Sequence, residues 1–284
     1  MSLVRIKDHL EAARAGGYAI PLIDVFEMQG ARGTFDAIAE KQAPAIVAVY
    51  AHLIDLPDAE AFAAYLKMMA ERVAAPVSVM LDHGENVEQC LKAISLGFTD
   101  VMYDGSKLPI AENVSKTLEV VAAARPLGIG VEAELGHVGN AADYADFAAK
   151  RQGFTDPESV VPFLEATGVD YLAVAFGTAH GVFKGDPQLD LELFKHIASL
   201  VDVPLVMHGG SGLTDEQFTA AIAAGVAKIN VATNLVIGAS KAMKKEAAGD
   251  AANLFTISTA ARKAYKDGVG GVLELFGSAG KAAA

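Results

Sequence analysis

The stretch LVMHGGSGLT, residues 205–214, joins an apolar run to a histidine, a glycine-rich turn and the start of a helix. The apolar residues before His208 are typical of a core strand, and the glycines after it let the backbone turn tightly and approach a ligand closely. Thr214 is suited to cap a helix that begins at Asp215. Backbone N–H groups at such a turn bind anions. The stretch therefore predicts a strand, a loop and a helix that place an imidazole beside an anionic ligand.

The same alternation of strand and helix runs along the whole chain. Runs of β-prone residues recur at 18–24, 45–50, 76–81, 100–104, 128–135, 170–177, 203–208 and 227–232, with amphipathic helical patterns between them. Eight such units predict an α/β fold of the (β/α)8 TIM-barrel type, with a doubly wound parallel sheet as the alternative. No linker divides residues 1–284, so we expect a single domain. The helical segment 235–278 exceeds what closing a barrel needs, which predicts extra C-terminal helices.

The composition narrows the range of partners and compartments. A formal charge of -12 argues against nucleic acid as a partner. No apolar run is long enough to span a bilayer, and the first residues form an amphipathic helical pattern rather than a signal peptide. The single cysteine, Cys90, excludes an internal disulfide and fits a reducing compartment. We therefore expect a cytoplasmic protein without a membrane partner.

Polar or ionisable side chains stand at nearly every predicted strand end, where barrel enzymes have their active sites. They are Asp24, Tyr50, Asp82, His83, Asp104, Glu134, His180, His208 and Asn230. The three histidines among them follow the third, sixth and seventh strands, and convergent imidazoles can form a metal site with one position open for substrate. Such ligands favour Zn2+, although another divalent transition metal such as cobalt or iron suits the same set. Each histidine alone would equally fit a hydrogen-bonded structural role, and we expect His9, His52 and His196 on the surface.

Three glycine-rich or polar loops follow the sixth, seventh and eighth predicted strands. They read GTAHG at 177–181, GGSG at 209–212 and NVAT at 230–233. Barrels commonly hold a phosphate on loop N–H groups and a helix N-terminus in this region. Lys184, just after the first loop, adds a cation. The glycines of any one loop would also fit a simple turn, but three neighbouring loops of this kind favour a phosphate site.

Several longer blocks carry a specific resemblance to a known family. LDHGENVEQCLKAISLGFTDVMYDGSKLP (81–109), VEAELGHVG (131–139), AVAFGTAHGVFKG (173–185), PLVMHGGSGL (204–213) and KINVAT (228–233) follow one another with characteristic spacing. In order and spacing they resemble the signature blocks of the class II, metal-dependent fructose-bisphosphate and tagatose-bisphosphate aldolases. The similarity runs from about Tyr18 to the C-terminal LFGSAGKA, so it covers nearly the whole chain.

The resemblance implies a reaction and a set of residue roles. The family cleaves a ketose 1-phosphate or bisphosphate reversibly to dihydroxyacetone phosphate and an aldehyde. By resemblance, His83, His180 and His208 bind zinc with Glu134 near the metal, and a monovalent cation is also compatible with the site. Asp82 matches the acid/base at the C4 hydroxyl of the substrate. The residues that match the phosphate site are Gly181, Lys184, Gly209, Gly210, Ser211, Asn230, Ala232 and Thr233.

The chain also departs from the family pattern near the substrate. Ala142 stands where the family has a loop glutamate that moves the proton at C3, so we expect Asp143 to replace it, with Asp146 or His137 as alternatives. The other departures are Asp24 for an asparagine, Tyr50 for a serine and Lys107 for a histidine. These changes predict a main substrate other than fructose 1,6-bisphosphate. Two alternative functions stay open, namely a metal-dependent sugar-phosphate isomerase or epimerase and a catalytically silent sugar-phosphate-binding paralogue.

The C-terminal segment carries one further resemblance. STAARKAY places Arg262 at a fixed distance before LFGSAGKA. This spacing resembles that of an arginine which, in these aldolases, reaches from one subunit into its neighbour's active site and meets the distal end of the substrate. A guanidinium suits a doubly bonded oxyanion. The resemblance therefore predicts a homodimer or homotetramer that binds a small-molecule sugar phosphate.

Overall fold

The chain forms a closed barrel of eight parallel strands in a computed structural model, which describes residues 2–139, 151, 153–181 and 187–283. The strands follow one another around the barrel in chain order, and the first pairs with the last. They are β1 (Ile20–Asp24), β2 (Ala45–Tyr50), β3 (Val77–Gly84), β4 (Asp100–Tyr103), β5 (Gly130–Leu135), β6 (Tyr171–Val174), β7 (Leu205–Met207) and β8 (Val226–Val231). This closure confirms the predicted (β/α)8 barrel over the doubly wound alternative.

Helices separate the strands and cover the outside of the barrel. They are α1 (Lys7–Gly16), α2 (Met28–Lys41), α3 (Ala51–Ile54), α4 (Ala59–Arg72), α5 (Val87–Ser95), α6 (Ile110–Ala124), α7 (Pro157–Thr167), α8 (Leu191–Leu200), α9 (Asp215–Ala223), α10 (Thr233–Ala247) and α11 (Leu254–Leu275). Thr214 caps α9 as predicted, since its side chain accepts from the N–H of Gln217 in a reciprocal capping box. None of the helices in the described ranges combines the length and apolar character needed to cross a membrane.

The strands are buried on both faces because side chains fill the barrel and helices cover it. An outer apolar layer packs β-strands against helices, and an inner one fills the lower part of the barrel. The inner layer contains Ile20, Leu22, Ile46, Ala48, Met80, Met102, Tyr171, Ala173, Val206 and Ala227. Above this layer, polar side chains gather at the upper, carboxyl ends of the strands and in a layer just below them.

Helix α1 closes the opposite, amino end of the barrel. Its side chains join the inner layer, and the buried carboxylate of Asp100, at the start of β4, accepts from the backbone N–H of Ile6 at 3.2 Å. The same carboxylate accepts from the hydroxyls of Ser78 at 2.7 Å and Tyr171 at 3.1 Å. One buried group therefore ties α1 to three strands.

Several strand ends differ from those the sequence predicts. The third strand runs on to Gly84, past its predicted end at 81, whereas the sixth ends at Val174 and the seventh at Met207. His83 adopts a left-handed backbone with φ of 53°, and the pairing of β3 with β4 shifts register between Leu81 and Gly84. A bulge of this kind re-aims side chains. The extension of β3 therefore places Asp82 and His83 within a bent strand rather than in a loop.

The extra C-terminal helices are present as predicted. Helix α11 has 22 residues, a length of about 33 Å, and it packs against α2 and α10. Gly33 of α2 permits the close approach, since a Cβ there would lie 2.3 Å from the carbonyl oxygen of Arg262. At the start of α11, Leu254 is 82% exposed and Phe255 is 77% exposed. This end of the helix thus presents a large apolar surface.

Candidate active site

A cavity of about 670 Å³ opens at the carboxyl ends of the strands. Twelve of the residues that the sequence predicts for the site line it, namely Asp24, Tyr50, Asp82, His83, His180, Gly181, Gly209, Gly210, Ser211, Asn230, Ala232 and Thr233. His208 and Glu134 are buried directly beneath. Asp143 and Lys184 lie outside the described residues. Barrel closure therefore brings together side chains that are up to about two hundred residues apart in sequence.

The three predicted histidines converge on one point. One ring nitrogen from each of His83, His180 and His208 lies within 4.8 Å of the other two. The ring centroids of His83 and His208 are 4.6 Å apart, and those of His83 and His180 are 4.9 Å apart. Separations of this size allow all three nitrogens to bind a single ion at about 2.0–2.1 Å.

Buried carboxylates fix which nitrogens face that point. The Nδ1 of His83 lies 2.9 Å from Asp104, and the Nε2 of His208 lies 2.7 Å from Glu132. Because a carboxylate only accepts, these nitrogens carry the protons. The opposite nitrogens, Nε2 of His83 and Nδ1 of His208, then face each other at 2.9 Å. Two nitrogens that face each other in this way must share a cation, either a proton or a metal ion, so this arrangement fits a metal site.

Glu134 supplies a further buried oxygen. Its Oε2 lies 3.6 Å from Nδ1 of His208 and has no hydrogen-bond partner among the described residues. Burial raises the pKa of Glu134 to about 8, with the negative charge of Asp104 adding to the effect. With His83 and Asp104, Glu134 forms a second group whose ligand atoms lie within 4.8 Å of one another. The carboxylate is therefore placed to neutralise a cation at the histidine cluster.

The pKa values of the histidines follow from burial and from these carboxylates. Burial lowers the pKa of His83, but Asp82, Asp104 and Glu134 outweigh that effect and raise it to about 10. For His180 and His208, burial and the nearby charge of His83 both lower the pKa well below its usual value. The cluster thus holds positive charge at one point, where the carboxylates stabilise it.

Asp82 sits beside the histidine cluster with a defined orientation. Its Oδ1 accepts from the side-chain amide of Asn230 at 2.8 Å. Asp24 lies next to it, and burial followed by the charge of Asp82 raises the pKa of Asp24 well above its usual value. A protonated Asp24 can donate to Asp82. It thereby supplies a donor at the position where the resemblance expects an asparagine.

Two buried residues that the sequence analysis missed complete the site. Lys228 and Glu132 are fully buried, and their charged groups lie 2.8 Å apart. The ammonium group of Lys228 also donates to Oδ1 of Asn230 at 2.7 Å. A charged residue in the middle of an apolar strand is itself a sequence signal, because lysine and glutamate are almost never fully buried unless they are paired.

The glycine-rich loops line one side of the cavity. Gly209 has φ of 72°, and a Cβ there would lie 2.6 Å from the backbone of Ala179. Only glycine fits this position, because the conformation and the contact both exclude a side chain. Ser211 is buried, and α10 begins at Thr233 on the same rim. Backbone N–H groups are thus gathered where a phosphate would bind.

Eight further residues line the cavity, namely Phe26, His52, Glu85, Asp104, Lys107, Leu108, His137 and Val138. Three of them were predicted near the site: Asp104 at a strand end, Lys107 as a departure from the family pattern and His137 as an alternative base. His52 is exposed, as predicted, yet it lines the cavity and its ring contacts that of Tyr50 at 5.1 Å between centroids. The prediction that His52 lies on the surface is therefore correct but incomplete. Helix α3 begins directly after β2 and returns His52 over the end of that strand, to the rim of the cavity.

Arg262 does not line the cavity of its own chain. Its guanidinium makes two hydrogen bonds to the carboxylate of Asp36, at 2.6 and 2.9 Å. The side chain is 36% exposed. This pairing holds Arg262 on the outer face formed by α2 and α11.

The barrel and its polar cluster define a TIM-barrel enzyme whose ligand set suits a transition metal. The family model for class II fructose-bisphosphate aldolases matches residues 4–281. The chain therefore belongs to the class II aldolase family, and it is a lyase.

Named relatives agree with this assignment. The chain is 40% identical over 236 residues to the 6-phospho-5-dehydro-2-deoxy-D-gluconate aldolase of Halalkalibacterium halodurans, covering 82% of this chain and 81% of that protein. It is 37% identical to a fructose-bisphosphate aldolase of Geobacillus stearothermophilus, with 100% of each chain covered. The crystal structure of the YdjI aldolase from Escherichia coli K12 superposes with a TM-score of 0.87, at 34% identity and 99% coverage of both chains. The family and the fold are thus shared along the full length.

Proposed function

We propose that the protein is a zinc-dependent ketose-phosphate aldolase. It cleaves a ketose 1-phosphate or 1,6-bisphosphate to dihydroxyacetone phosphate and an aldehyde, or runs the reverse condensation. The main support is the 2.9 Å approach of two imidazole nitrogens whose protons are held on their far sides by carboxylates. Such a pair is built for a cation, and Asp82 stands beside it.

His83, His180 and His208 would hold the ion, with Glu134 close by. Three imidazoles favour Zn2+, and cobalt or iron would suit the same set. When bound, the ion acts as a Lewis acid that stabilises the negative charge left on the substrate as the carbon–carbon bond breaks. A monovalent cation near the phosphate remains part of the proposal by resemblance alone.

Asp82 would take the proton from the C4 hydroxyl in the cleavage direction and return it in condensation. Asp82 lies in β3 next to His83, and the amide of Asn230 fixes its Oδ1. Its Oδ2 lies 4.0 Å from Nε2 of His83, on the side of the histidine cluster, and would face the substrate hydroxyl. General acid–base catalysis of this kind needs the acceptor within hydrogen-bond reach of the proton.

The loops would bind the phosphate of dihydroxyacetone phosphate. The candidate donors are the backbone N–H groups of residues that line the cavity, namely Gly181, Gly209, Gly210, Ser211, Asn230, Ala232 and Thr233. Lys184, outside the described residues, would add a cation. Several N–H groups on rigid turns orient the phosphate, and with it the bond to be cleaved.

The base that moves the C3 proton is proposed to be Asp143, which lies outside the described residues, as does the alternative Asp146. His137 is the second alternative, and it lines the cavity with its Nδ1 3.2 Å from the hydroxyl of Ser106. Burial and the charge of Lys107 lower the pKa of His137, which favours the neutral, proton-accepting form.

The aldehyde half of the substrate is proposed to differ from glyceraldehyde 3-phosphate. Asp24 and Tyr50 replace smaller or neutral side chains of the family pattern and line the cavity. Glu85, Asp104 and Lys107 also line the cavity, which therefore contains charges of both signs. Because Asp24 and Tyr50 change the charge and shape of the family's substrate pocket, fructose 1,6-bisphosphate is expected to be a poor substrate.

The domain organisation, assembly and cellular location of the enzyme are also part of the proposal. We propose that residues 1–284 form one aldolase domain that assembles as a homodimer or homotetramer. The acidic composition and the lack of any membrane-crossing helix in the described residues support a cytoplasmic protein without nucleic-acid or membrane partners.

Metal removal tests the proposal. Chelation should abolish both exchange of a C3 proton of dihydroxyacetone phosphate with solvent and release of an aldehyde from a ketose phosphate, and added Zn2+ or Co2+ should restore both. Exchange is followed by NMR and the aldehyde by trapping with a hydrazine. His83→Ala, His180→Ala and His208→Ala should each lower the bound metal, measured by elemental analysis.

The outcomes separate the alternatives. Exchange without aldehyde release would indicate an isomerase or epimerase, and metal binding without exchange would indicate a silent sugar-phosphate-binding protein. Full activity without metal, or inactivation by borohydride in the presence of substrate, would point to a Schiff-base lysine and contradict the proposal.

A further inference from the structure

Lys228 occupies an unusual place in the barrel. It lies in the middle of β8, is fully inaccessible to solvent, and does not line the cavity. Its ammonium group therefore cannot touch the substrate. A buried ammonium loses its hydration, so each of its contacts must compensate for that loss.

The contacts of Lys228 lead to both halves of the site. On one side its Nζ lies 2.8 Å from Oε2 of Glu132, whose Oε1 lies 2.7 Å from Nε2 of His208. On the other side Nζ donates to Oδ1 of Asn230 at 2.7 Å, and Nδ2 of Asn230 donates to Asp82 at 2.8 Å. A single side chain thus connects a histidine of the metal cluster to the carboxylate proposed as acid/base.

The chemistry of each contact requires a positive donor. Because an ammonium group only donates hydrogen bonds, Lys228 can pair with the side-chain oxygen of Asn230 but not with its NH2 group. The side-chain oxygen of Asn230 is therefore held toward Lys228. The NH2 group of Asn230 is then forced toward Asp82. The ammonium group also lies against Oε2 of Glu132, which leaves Oε1 to accept the Nε2 proton of His208 when Nδ1 faces the metal.

We infer that Lys228 is a positioning residue that sets the tautomer of His208 through Glu132 and the orientation of Asp82 through Asn230. This inference rests on the proposed function, since it assigns His208 to the metal and Asp82 to proton transfer. Through these contacts, one buried charge fixes both the orientation of a metal-binding histidine and that of the carboxylate that transfers the proton.

A merely structural ion pair is the alternative, and the choice of variants separates the two. Lys228→Met alone leaves Glu132 buried without its partner and is expected to fold poorly. The double variant Lys228→Met/Glu132→Gln removes both charges and keeps the volume, so it provides a folded protein. Glu132→Gln alone perturbs the contact to His208, while the amide oxygen of the new side chain can still accept from the ammonium group, which also stays on Asn230. Asp100→Asn, a buried carboxylate at the opposite end of the barrel, is the matched control for general destabilisation.

The first measurement is zinc affinity of the substrate-free protein, by competition with a chromophoric chelator. Loss of an outer partner of a metal-binding histidine typically costs about 10–100-fold in affinity. We expect a loss of that order in Glu132→Gln and in the double variant, and none in Asp100→Asn. Thermal unfolding of each variant by circular dichroism verifies that all are folded at the assay temperature.

The second measurement is turnover at saturating zinc. The double variant should lose roughly 10²-fold, the scale expected for a misplaced reacting group, while Glu132→Gln should stay within a few-fold of wild type. Adding Asp82→Asn to the double variant should cost nothing beyond Asp82→Asn alone, because at saturating zinc the remaining effect of Lys228 on turnover acts through Asp82. Independent structural damage would instead make the two losses multiply.

Two results would overturn the inference. One is wild-type zinc affinity in the double variant, and the other is multiplicative loss of turnover when Asp82→Asn is added. Failure of the proposed function is distinguishable from both, because it shows in the wild-type protein as absent aldol cleavage. The zinc measurement, which needs no substrate, still tests in that case whether Lys228 and Glu132 orient His208.

Discussion

At the scale of single residues, the site depends on side chains that hold one another in position. Asp82 is buried between Asn230, Asp24 and the histidine cluster, so its carboxylate has little freedom to rotate. A group held in this way can move a proton without first being ordered. Its removal should therefore affect the chemical step and leave the metal site intact.

We expect Asp82→Asn to lower turnover by about 10²–10⁴-fold, the usual contribution of a general acid or base, while bound zinc is unchanged. The amide keeps the shape of the side chain and loses only the proton acceptor. Steady-state kinetics and metal analysis of the same preparation test this. Glu88→Gln, an exposed acid on α5, is the control. Near-normal turnover of Asp82→Asn would remove Asp82 from its proposed role.

Sequence reasoning found the histidines but not the residues that orient them. Each histidine follows an apolar strand, and the barrel fold alone dictates that such ends meet. Glu132 and Lys228 lie inside the strands VEAEL and VAKINV, 96 positions apart, and nothing local links them. Their pairing exists only once β5 and β8 face each other across the barrel interior.

At the scale of secondary structure elements, α1 is attached to the barrel through Asp100. Burial raises the pKa of this carboxyl to about 7, against hydrogen bonds from Ser78, Tyr171 and the N–H of Ile6 that lower it. The folded-state pKa is thus above the unfolded value of about 3.9. The protonated group adds stability that is fully present below pH about 4 and is lost as the pH rises through about 7.

The stability of wild type relative to Asp100→Asn should therefore fall as the pH rises from 5 to 8. The variant does not titrate at this position, so it provides the reference at each pH. Thermal unfolding of both proteins by circular dichroism, in buffers matched for ionic strength, gives the difference in Tm. A difference that stays constant across this range would show that Asp100 is already ionised in the folded protein at pH 5.

The elements themselves were predictable, but their ends were not. The alternation of apolar runs and amphipathic helices places every strand correctly, whereas the predicted ends of the third, sixth and seventh strands were wrong by up to three residues. After β6 the apolar run continues through Ala175 and Phe176, which are buried without pairing in the sheet. Burial continues past the last ladder hydrogen bond, so hydrophobicity alone overestimates the strand.

At the scale of the whole molecule, closure of the barrel is the step that local patterns cannot show. A doubly wound sheet would use the same strands and helices, and only the pairing of β1 with β8 excludes it. That pairing also brings Asn230 to Asp82 and Lys228 to Glu132. The candidate site therefore forms only when the barrel closes, although each of its histidines could be predicted from the sequence of its own strand.

The C-terminal helices raise the question of assembly. The exposed side chains of Leu254 and Phe255 begin α11, and Arg262 lies two turns further along the same helix. The bidentate pair with Asp36 holds its guanidinium on an outer face, away from the cavity of its own chain. A role in catalysis would therefore require the cavity of a neighbouring subunit, as the resemblance predicts.

We expect the protein to be a dimer or tetramer by light scattering, and Arg262→Ala to raise KM for substrates with an anionic far end while sparing those with a neutral one. Asp36→Ala is the matched control, since it breaks the same ion pair but keeps the guanidinium. If Arg262 only stabilises the packing of α2 and α11, both variants should lower Tm alike and leave KM unchanged. A higher KM in Arg262→Ala alone would identify the guanidinium as the substrate contact.

Mixed oligomers then decide whether the site is shared. A dimer of one Arg262→Ala subunit and one Asp82→Asn subunit would contain one site that lacks both groups and one that has both. Random mixing of two impaired parents should thus restore about one quarter of wild-type activity on a substrate with an anionic far end, since half of the dimers are hybrids with one intact site. Unmixed parents, refolded separately in the same way, are the control. A monomer in solution, or no recovery in hybrids verified by mass spectrometry, would confine Arg262 to its pair with Asp36.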